Sequence, residues 1–234
     1  MGPMSSQPLL SVLIPTLESR RESFCSMLAS LEEQVAREGL SGRVEIVSAV
    51  DDGTLPIGTK RNRLLDEASG RFVSFVDDDD EVSRDYLRLI VAALEGDPEV
   101  EVVGIHGRIT YRGAHPRPFE MSIRHRAYRA GPQRYERPPH HLNPTRSDIA
   151  RRYPFADVRK AEDSDRALRM AEDGALRCEV MVEPEIYHYR SRRWWPYQWA
   201  LDRTEWFRHP LGLMLFNRPR ARRWFESRLP TSRV

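Results

Sequence analysis

Short apolar runs with strand character alternate along the chain with segments of helical periodicity, and this alternation limits the possible folds more than any other feature. The runs at 9–15, 44–50 and 72–76 are rich in β-branched or aromatic residues, so they predict buried strands. Apolar residues spaced three and four apart at 24–35 and 57–68 predict a helix after each of the first two strands. Strands that alternate with helices through short turns predict an α/β fold, with a mostly parallel central sheet flanked by helices.

The remaining sequence predicts another helix and a second, less regular half. Ser83 has the residue type of a helix N-cap, and six prolines between 113 and 144 predict irregular loops with a β-hairpin. In chain order we expect a helix at 83–94, a strand at 102–111, the loops and hairpin at 113–144, a helix at 163–175, a strand at 179–189 and a mainly helical tail from 196.

Composition excludes several classes of protein. The chain has 234 residues, of which 40% are hydrophobic and 31% are charged, as is typical of a soluble globular protein. No apolar run approaches the roughly 18 residues that a membrane-spanning helix needs, and the N-terminus lacks the pattern of a signal peptide. Two distant cysteines, Cys25 and Cys178, cannot form a CxxC zinc site or a disulfide framework. We therefore expect a location in the cytoplasm, or in the host cytoplasm for a viral protein.

The charges of the chain are distributed unevenly between its two halves. Residues 1–104 carry a net charge of −10 and residues 105–234 a net charge of +12, and 35 of the 37 cationic side chains are arginines. Arginine is the better bidentate ligand for phosphate. The split indicates an acidic half that can hold a metal ion and a basic half that can meet a polyanion.

Four consecutive aspartates follow the third predicted strand. Asp77, Asp78, Asp79 and Asp80 repel one another, and this repulsion raises their pKa values unless a cation neutralises them. In an extended strand end, the side chains of Asp77 and Asp79 point the same way. Such a pair of carboxylates suits Mg²⁺ or Mn²⁺ shared with a substrate phosphate. A solvated acidic turn before a helix accounts equally well for the spacing alone.

A second acidic pair, Glu162 and Asp163, stands at the start of a predicted helix. A carboxylate there can act as a rigidly placed general base. The same pattern is also common at ordinary helix N-termini, where carboxylates are favoured.

Four motifs in this order resemble the family 2 glycosyltransferases with the GT-A fold, over roughly residues 9–190. The first is the strand SVLIPT at 11–16, and the second is the acidic turn AVDDG at 49–53. The third is the segment 58–80, which ends in the four aspartates, and the fourth is AEDSDRALRMAEDG at 161–174. The segment YHYR at 187–190 also resembles the part of the family that closes the site.

This resemblance implies a role for each candidate site residue. Asp163 would be the catalytic base, and Asp79, with His188 as a further ligand, would hold Mn²⁺ or Mg²⁺. The implied donor-binding residues are Pro15, Thr16, Asp51, Asp52, Arg61, Asp77 and Asp78. The acceptor-binding candidates are Glu162, Arg190, Trp194 and Trp195.

The resemblance also implies an activity and a division of the chain. The activity is an inverting, metal-dependent transfer of a sugar from a nucleotide diphosphate donor, with a UDP-sugar favoured, to an acceptor hydroxyl. Residues 8–112 would form the nucleotide-sugar-binding half and residues 113–192 the acceptor and catalytic half of one domain. Residues 193–234 would form a short helical C-terminal extension rich in Arg and Trp.

The C-terminal segment leaves the acceptor open between three interpretations. All five tryptophans lie in the last 41 residues, and residues 186–234 carry 11 arginines against three acidic residues. Arginines that neutralise phosphates and aromatic rings that stack on bases fit a nucleic-acid acceptor, such as a hydroxymethylated pyrimidine in DNA. The same composition fits an interfacial helix on anionic lipid, with an envelope glycolipid or polysaccharide as acceptor. It also fits tryptophans that cover the core while arginines extend to water.

Two functions from other classes stay as alternatives. A nucleotidyltransferase shares the α/β half and an acidic metal site, but residues 11–25 lack the Gly-rich phosphate loop and lysine that this chemistry usually needs. A non-catalytic nucleotide-sugar-binding module is the other alternative, and the presence of both Asp79 and Asp163 argues against it. The sequence does not indicate the oligomeric state.

Overall fold

The computed structural model describes residues 7–130, 133–158 and 161–192. These residues form ten strands and five α-helices, in which the first half alternates strand and helix as predicted. The α/β class with helices flanking a central sheet is therefore confirmed. The strands are β1 Leu10–Leu17, β2 Val44–Asp51, β3 Phe72–Phe75, β4 Glu81–Val82, β5 Val102–Tyr111, β6 Ala114–Met121, β7 Arg129–Ala130, β8 Tyr135–Arg137, β9 Thr145–Arg146 and β10 Glu179–Ser191. The helices are α1 Arg21–Arg37, α2 Ile57–Glu67, α3 Tyr86–Gly96, α4 Ser147–Arg152 and α5 Glu162–Glu172.

The sheet is parallel where the βαβ units build it. Strands β2, β1 and β3 lie side by side and are all parallel, and β10 pairs in parallel with β5. The short strand β9 joins the two parallel groups, because it pairs antiparallel with both β3 and β5. As a result the carboxyl ends of β1, β2 and β3 meet at one edge, where ligands of α/β sheets gather.

The second half adds antiparallel strands that the apolar pattern did not resolve. Strand β6 forms the expected hairpin with β5, and β7 and β8 form a second small hairpin beside β6. Strand β4 follows the four aspartates and pairs with β10 through Val82 and Glu81. These pairings bring β10 and the aspartate turn together.

The core lies on both faces of the sheet. Strand β1 is buried along nearly its whole length, and α1 and α3 cover one face with residues such as Met27, Leu31 and Ile90. Helices α2 and α4 cover the other face, around Leu13, Leu64 and further apolar residues of β3. No helix within the described ranges is long and apolar enough to cross a membrane.

The start of α3 differs from the prediction. The helix begins at Tyr86 after the N-cap position Asp85, and the side chain of Ser83 does not cap it. Instead the buried Gln34 of α1 accepts a hydrogen bond from the backbone N–H of Leu87 at 3.0 Å and donates one to the carbonyl of Ser83 at 3.1 Å. A side chain distant in sequence therefore satisfies the helix end, which local pattern does not show.

Candidate active site

The four aspartates form a tight turn at the end of β3. The backbone N–H of Asp80 donates a hydrogen bond to the carbonyl of Asp77 at 3.2 Å, so the segment is not the extended strand end that the sequence predicted. Exposure nevertheless alternates along the turn. The side chains of Asp77 and Asp79 are 25% and 23% exposed, whereas that of Asp78 is 1% exposed and Asp80 is also buried.

The two buried aspartates hold the turn in place. Asp78 accepts hydrogen bonds from the hydroxyl of Thr16 at 2.6 Å and from Arg20 at 2.8 Å. Asp80 accepts hydrogen bonds from the hydroxyl of Tyr187 at 2.8 Å and from the backbone N–H of Arg190 at 2.8 Å. The sequence predicted Asp78 as a donor contact, but both of its oxygens accept hydrogen bonds from β1 and the segment after it.

Asp77 lies between a cation and an imidazole. Its carboxylate pairs with Arg61 at 2.9 Å and lies 3.4 Å from Nε2 of His141. Burial favours a higher pKa for Asp77, but Arg61 and His141 outweigh burial and hold this pKa well below its usual range. Asp77 is therefore ionised at every pH at which the protein is expected to work.

Asp77 and Asp79 are the two partly exposed carboxylates of the turn, and Asp79 has the longer ion pairs of the two. It lies 3.2 Å from Arg20 and 3.8 Å from the exposed Arg192. Burial and the charges of Asp77 and Asp78 raise the pKa of Asp79, although Arg20 lowers it. A divalent cation at this point would relieve the repulsion, so the oxygen donors of Asp79 and Asp77 fit Mg²⁺ or Mn²⁺.

A cavity of about 480 Å³ opens beside this turn, and we call it the acidic cavity. Its walls combine the end of β1, the start of α2, the aspartate turn and the end of β10. Cationic side chains and carboxylates both line it. The lining residues on which the argument depends are Pro15, Thr16, Arg20, Arg61, Asp77 and Asp79.

The acidic residues at the end of β2 adjoin residues that line this cavity but do not line it themselves. Asp51 pairs with the buried Lys60, which also donates a hydrogen bond to the carbonyl of Thr16. Asp52 accepts a hydrogen bond from the backbone N–H of Thr54 at 3.0 Å and closes a turn around Gly53, a glycine with a positive φ of 90°. The turn brings Gly53 and not Asp51 or Asp52 into the cavity wall.

Arg61 links the aspartate turn to α5. Its buried guanidinium pairs with Asp77 at 2.9 Å and with Glu162 at 3.0 Å. Burial, which Arg61 opposes, raises the pKa of Glu162 to about 7. Glu162, predicted as an acceptor contact, therefore lies in the wall of the acidic cavity as the partner of Arg61.

Asp163 is the second residue of α5 and, unlike Glu162, does not line the acidic cavity. Its carboxylate is 28% exposed and lies 3.5 Å from Nδ1 of His141. The ring of His141 is stacked on that of His140, with ring centroids 4.6 Å apart. Burial, together with nearby cations, lowers the pKa of both histidines, so both rings are neutral near pH 7.

The two histidines and Asp163 are also a possible set of metal ligands. One ligand atom from each of these three residues lies within 4.8 Å of the other two. Within this set His141 is hydrogen-bonded to Asp77, whereas its buried Nδ1, which faces Asp163, has no hydrogen-bond partner in the described part of the chain. The more open oxygen donors remain those of the aspartate turn.

Asp163 lines a second cavity, of about 210 Å³, which we call the aromatic cavity. Its walls come mainly from β5, β6, β8, the segment 140–142 and the start of α5. The residues used below are Phe119, Tyr128, Arg129, Tyr135, Arg137 and Asp163.

The two cavities meet at Asp77 and Tyr189, which line both of them. Asp79 lies on one side of this junction and Asp163 on the other, and His141 connects Asp77 to Asp163. Carboxylates that are far apart in sequence thus converge around one cleft, as the sequence predicted.

A model of the family described as Glycosyl transferase family 2 matches residues 11–159. This range is more than half of the chain and contains the aspartate turn. The chain belongs to glycosyl transferase family 2. A search of curated proteins finds no match to the sequence.

Solved structures similar to this family 2 chain include three of S. aureus TarS residues 1–349. The first, a crystal structure of TarS 1–349, has a TM-score of 0.53 at 16% identity, with 78% of this chain and 60% of that one covered. The complex with UDP-GlcNAc has a TM-score of 0.53 at 16% identity, with 79% and 59% covered. The complex with UDP has a TM-score of 0.54 at 16% identity, with 78% and 60% covered. These likenesses support the GT-A fold, and the chain spans about 60% of the length of these TarS chains.

His188 of this family 2 chain lies on the opposite face of β10 from Tyr187 and Tyr189. Its Nε2 is 2.8 Å from the hydroxyl of Thr110, and its Nδ1 is 2.9 Å from Glu81. Both ring nitrogens therefore have partners, and His188 lines neither cavity. This placement disagrees with the predicted role of His188 as a metal ligand, because strand alternation points it away from the cleft.

The remaining acceptor candidates are divided between the cavity and the tail. Arg190 lines the acidic cavity and pairs with Glu81 at 3.2 Å. Trp194 and Trp195, and with them the whole predicted extension at 193–234, lie outside the described residues.

Several residues of this family 2 site were missed by sequence reasoning. Arg20, Lys60, His141 and Tyr189 all contact the cleft. Lys60 and Tyr189 lie inside motifs that the sequence analysis used without giving these two residues a role, and Arg20 lies in a charged helix start. The pair His140–His141 is the one local signal that was available, because two adjacent histidines in a proline-rich loop are unusual.

Proposed function

We propose that the protein transfers a sugar from a nucleoside diphosphate donor, with a UDP-sugar favoured, to an acceptor hydroxyl. Membership of family 2 supports the reaction class, and the UDP and UDP-GlcNAc complexes of the similar TarS structures support the choice of nucleotide. The proposed reaction is a single displacement with inversion at the anomeric carbon, in the cytoplasm, and it depends on Mn²⁺ or Mg²⁺.

One observation carries this proposal: two cavities of different chemistry meet at Asp77. The larger acidic cavity has cations and carboxylates in its walls, and the smaller aromatic cavity contains Asp163. A donor diphosphate in the acidic cavity and an acceptor in the aromatic cavity would bring their reacting atoms together at this junction. A non-catalytic binding module would not need a carboxylate on the acceptor side.

The acidic cavity supplies contacts for the whole donor. The backbone of Pro15 and Thr16 and the turn at Asp51 and Asp52 would contact the nucleoside. Arg20 and Lys60, placed between carboxylates, add positive charge near the diphosphate. Arg61 acts through its partners, since its guanidinium holds Asp77 and Glu162 at fixed positions.

Asp79, with Asp77 beside it, would hold the divalent ion. When bound there, the ion would neutralise negative charge that grows on the leaving diphosphate. The repulsion among the aspartates, seen in the raised pKa of Asp79 through burial and its neighbours, fits this assignment.

Asp163 would be the general base on the acceptor side. The acceptor oxygen forms a bond to the anomeric carbon as the bond from that carbon to the diphosphate oxygen breaks. The acceptor proton passes to a carboxylate oxygen of Asp163, and the nucleoside diphosphate leaves. The first turn of α5 holds Asp163 in position, and the backbone N–H of Ser164 donates a hydrogen bond to its second oxygen, Oδ1, at 2.7 Å.

The substitution Asp163→Asn tests the base. We expect transfer to fall by about 10²- to 10⁴-fold, while UDP binding stays close to that of the unmodified protein, because the base acts on the acceptor proton. The measurement is UDP release from UDP-sugars with an acceptor extract, beside a direct titration of UDP. Asp165→Asn is the matched control, since Asp165 lies on the outer face of the same helix and pairs with Arg169. Normal turnover by Asp163→Asn would refute the role.

The substitution Asp79→Asn tests the metal site. We expect UDP affinity and its enhancement by Mn²⁺ to fall together, because a carboxylate that holds the ion also holds the diphosphate through it. UDP titrations with Mn²⁺ and with EDTA measure both effects. Asp85→Asn, an exposed aspartate before α3, is the control. Unchanged Mn²⁺ dependence in Asp79→Asn would remove this residue from the site.

Two acceptors follow from the Arg- and Trp-rich C-terminal segment. One is a hydroxymethylated pyrimidine in DNA, and the other is an anionic envelope glycolipid or polysaccharide. Salt-dependent retention on DNA supports the first, and flotation with anionic liposomes supports the second. Neither result is expected if the segment only packs on the core.

A further inference from the structure

Arg137 is a cation in the aromatic cavity that the proposed reaction does not use. It ends β8, is half-buried, and its guanidinium lies 5.5 Å from the ring centroid of Tyr135, 5.7 Å from that of Tyr128 and 5.9 Å from that of Phe119. All three rings line the cavity. The guanidinium is thus held over rings of β6, β8 and the loop before β7, in favourable cation–π geometry.

The charge of Arg137 has no carboxylate partner in the described part of the chain. By contrast, the arginines of the acidic cavity are paired: Arg20 with Asp78, and Arg61 with Asp77 and Glu162. Arg129, exposed on β7, lines the same cavity and likewise forms no ion pair with a described residue. The aromatic cavity therefore presents two cations that form no ion pair with any carboxylate of the described residues.

The position of these cations relative to Asp163 limits what they can do. Asp163 lines the same cavity, so an anionic molecule that approaches it alone would meet a negative charge. Arg137 acts on this cavity directly: its charge opposes the burial-driven rise in the pKa of Tyr128 and of Tyr189. A ligand with one anionic group near Arg137 and a hydroxyl near Asp163 would satisfy both charges.

We propose that Arg137, with Arg129, forms an anion subsite that binds a phosphate or carboxylate group of the acceptor, so that the acceptor is an anionic sugar unit. This inference rests on the proposed function, because it takes the aromatic cavity as the acceptor site. A guanidinium binds both kinds of anion through paired N–H donors. The volume of about 210 Å³ fits one sugar ring, whose apolar face can pack on the aromatic walls.

The test compares sugars that differ in charge. The full chain is first saturated with UDP and Mn²⁺, which occupy the acidic cavity, and then titrated with glucose 6-phosphate, glucuronate and glucose. We expect at least one anionic sugar to bind roughly 10- to 100-fold more tightly than glucose, as a hydrogen-bonded charge pair requires. The two anionic sugars distinguish a phosphate from a carboxylate as the group recognised.

Two substitutions of Arg137 and a matched control show whether Arg137 causes the preference for an anionic sugar over glucose. Arg137→Gln should remove the preference for the anionic sugar, and Arg137→Lys should keep part of it, because lysine retains the charge but not the paired donors. Arg63→Gln, at an exposed arginine of α2 outside both cavities, should keep the full preference. Thermal unfolding of each variant establishes that the chain is folded.

Three results would overturn the inference. They are equal binding of charged and neutral sugars, a preference that survives Arg137→Gln, and tighter, salt-sensitive binding of a short thymidine oligonucleotide that does not change in Arg137→Gln. The last would assign anion recognition to other arginines and to a nucleic acid. The UDP titration separates this failure from failure of the proposed function, since a protein that binds no UDP fails at the first step.

Discussion

His141 is the residue that joins the two sides of the cleft. It is buried and neutral, with Asp77 at 3.4 Å from one ring nitrogen and Asp163 at 3.5 Å from the other. Without an imidazole between them, the two carboxylates would face each other in a poorly solvated space, where like charges repel strongly. His141 is therefore a positioning residue for Asp77, to which it is hydrogen-bonded.

The substitution His141→Leu should change the pH dependence of donor binding. Burial favours a higher pKa for Asp77, while Arg61 and then His141 hold this pKa down. Removing His141 raises the pKa of Asp77, so Asp77 takes up a proton at a higher pH than in the unmodified protein. We expect Mn²⁺-dependent UDP binding to be lost at a higher pH as the solution is acidified, and the measurement is a UDP titration from about pH 7 to pH 3, a range that extends below the ordinary aspartate pKa of about 3.9.

The conservative variant distinguishes this effect from a loss of folding. His141→Gln keeps an amide N–H donor near Asp77. UDP binding in this variant should therefore be lost at a pH between those of the unmodified protein and His141→Leu. Identical pH profiles for the unmodified protein and His141→Leu would show that His141 does not act on Asp77.

Residue types marked the acidic candidates of the site without excluding an ordinary acidic turn and helix start, the family resemblance gave them roles, and neither indicated their partners. Asp77, Asp79 and Asp163 stand out because unpaired carboxylates at strand ends and helix starts are recognisable locally. Their cations and His141 come from other segments, and only the fold brings them within contact. The inward orientation of Asp78 has the same origin, since Thr16 and Arg20 hold it through contacts about 60 residues apart in sequence.

At the scale of elements, α2 depends on one close approach. Gly58 lies in its first turn, and a Cβ atom there would come within 1.9 Å of the carbonyl oxygen of Ala156. Asn62, one turn later, exchanges hydrogen bonds with the backbone of Phe155 at 2.8 and 2.9 Å. These contacts hold the loop before α5 against α2, and so hold Arg61 near Glu162.

Replacing Gly58 by Ala should lower stability. In an ordinary helix the change from glycine to alanine stabilises the folded helix by about 1 kcal/mol. At Gly58, however, the added methyl group meets the backbone of Ala156, which cannot move away without separating α2 from the loop. We expect a lower midpoint of thermal unfolding. Gly96→Ala, at the end of α3 with open space around it, is the control and should not lower the midpoint. An unchanged or higher midpoint for Gly58→Ala would contradict the close packing.

The longer elements were predictable, and the short ones were not. Strands β1, β2 and β5 and helices α1 to α3 have strong periodicity or apolar runs, and the predictions agree with their bounds to within a few residues. Strands β4, β7, β8 and β9 have two or three residues each, too few for a pattern. Their pairing depends on other strands: β4 pairs with β10, β8 with β6, β9 with β3 and β5, and β7 with β8.

At the scale of the whole molecule, the order of strands places the site. The parallel strands β1 to β3 bring the acidic turn and the start of α2 to one sheet edge, and β10 returns beside β5 to add Tyr187 and Tyr189. Strands β6 to β8 then form much of the aromatic cavity next to this edge. Both halves of the sequence contribute charged residues to the acidic cavity, whereas the two arginines of the aromatic cavity, Arg129 and Arg137, come from the second half.

The central claim is that the donor diphosphate lies at the aspartate turn, with Asp163 across the junction from it. The most direct measurement is a crystal structure of the full chain grown with UDP and Mn²⁺. The account predicts the diphosphate and the ion beside Asp79 and Asp77, with the uridine against Pro15 and Thr16 and the aromatic cavity open. A nucleotide bound in the aromatic cavity, or a diphosphate remote from Asp79, would contradict it.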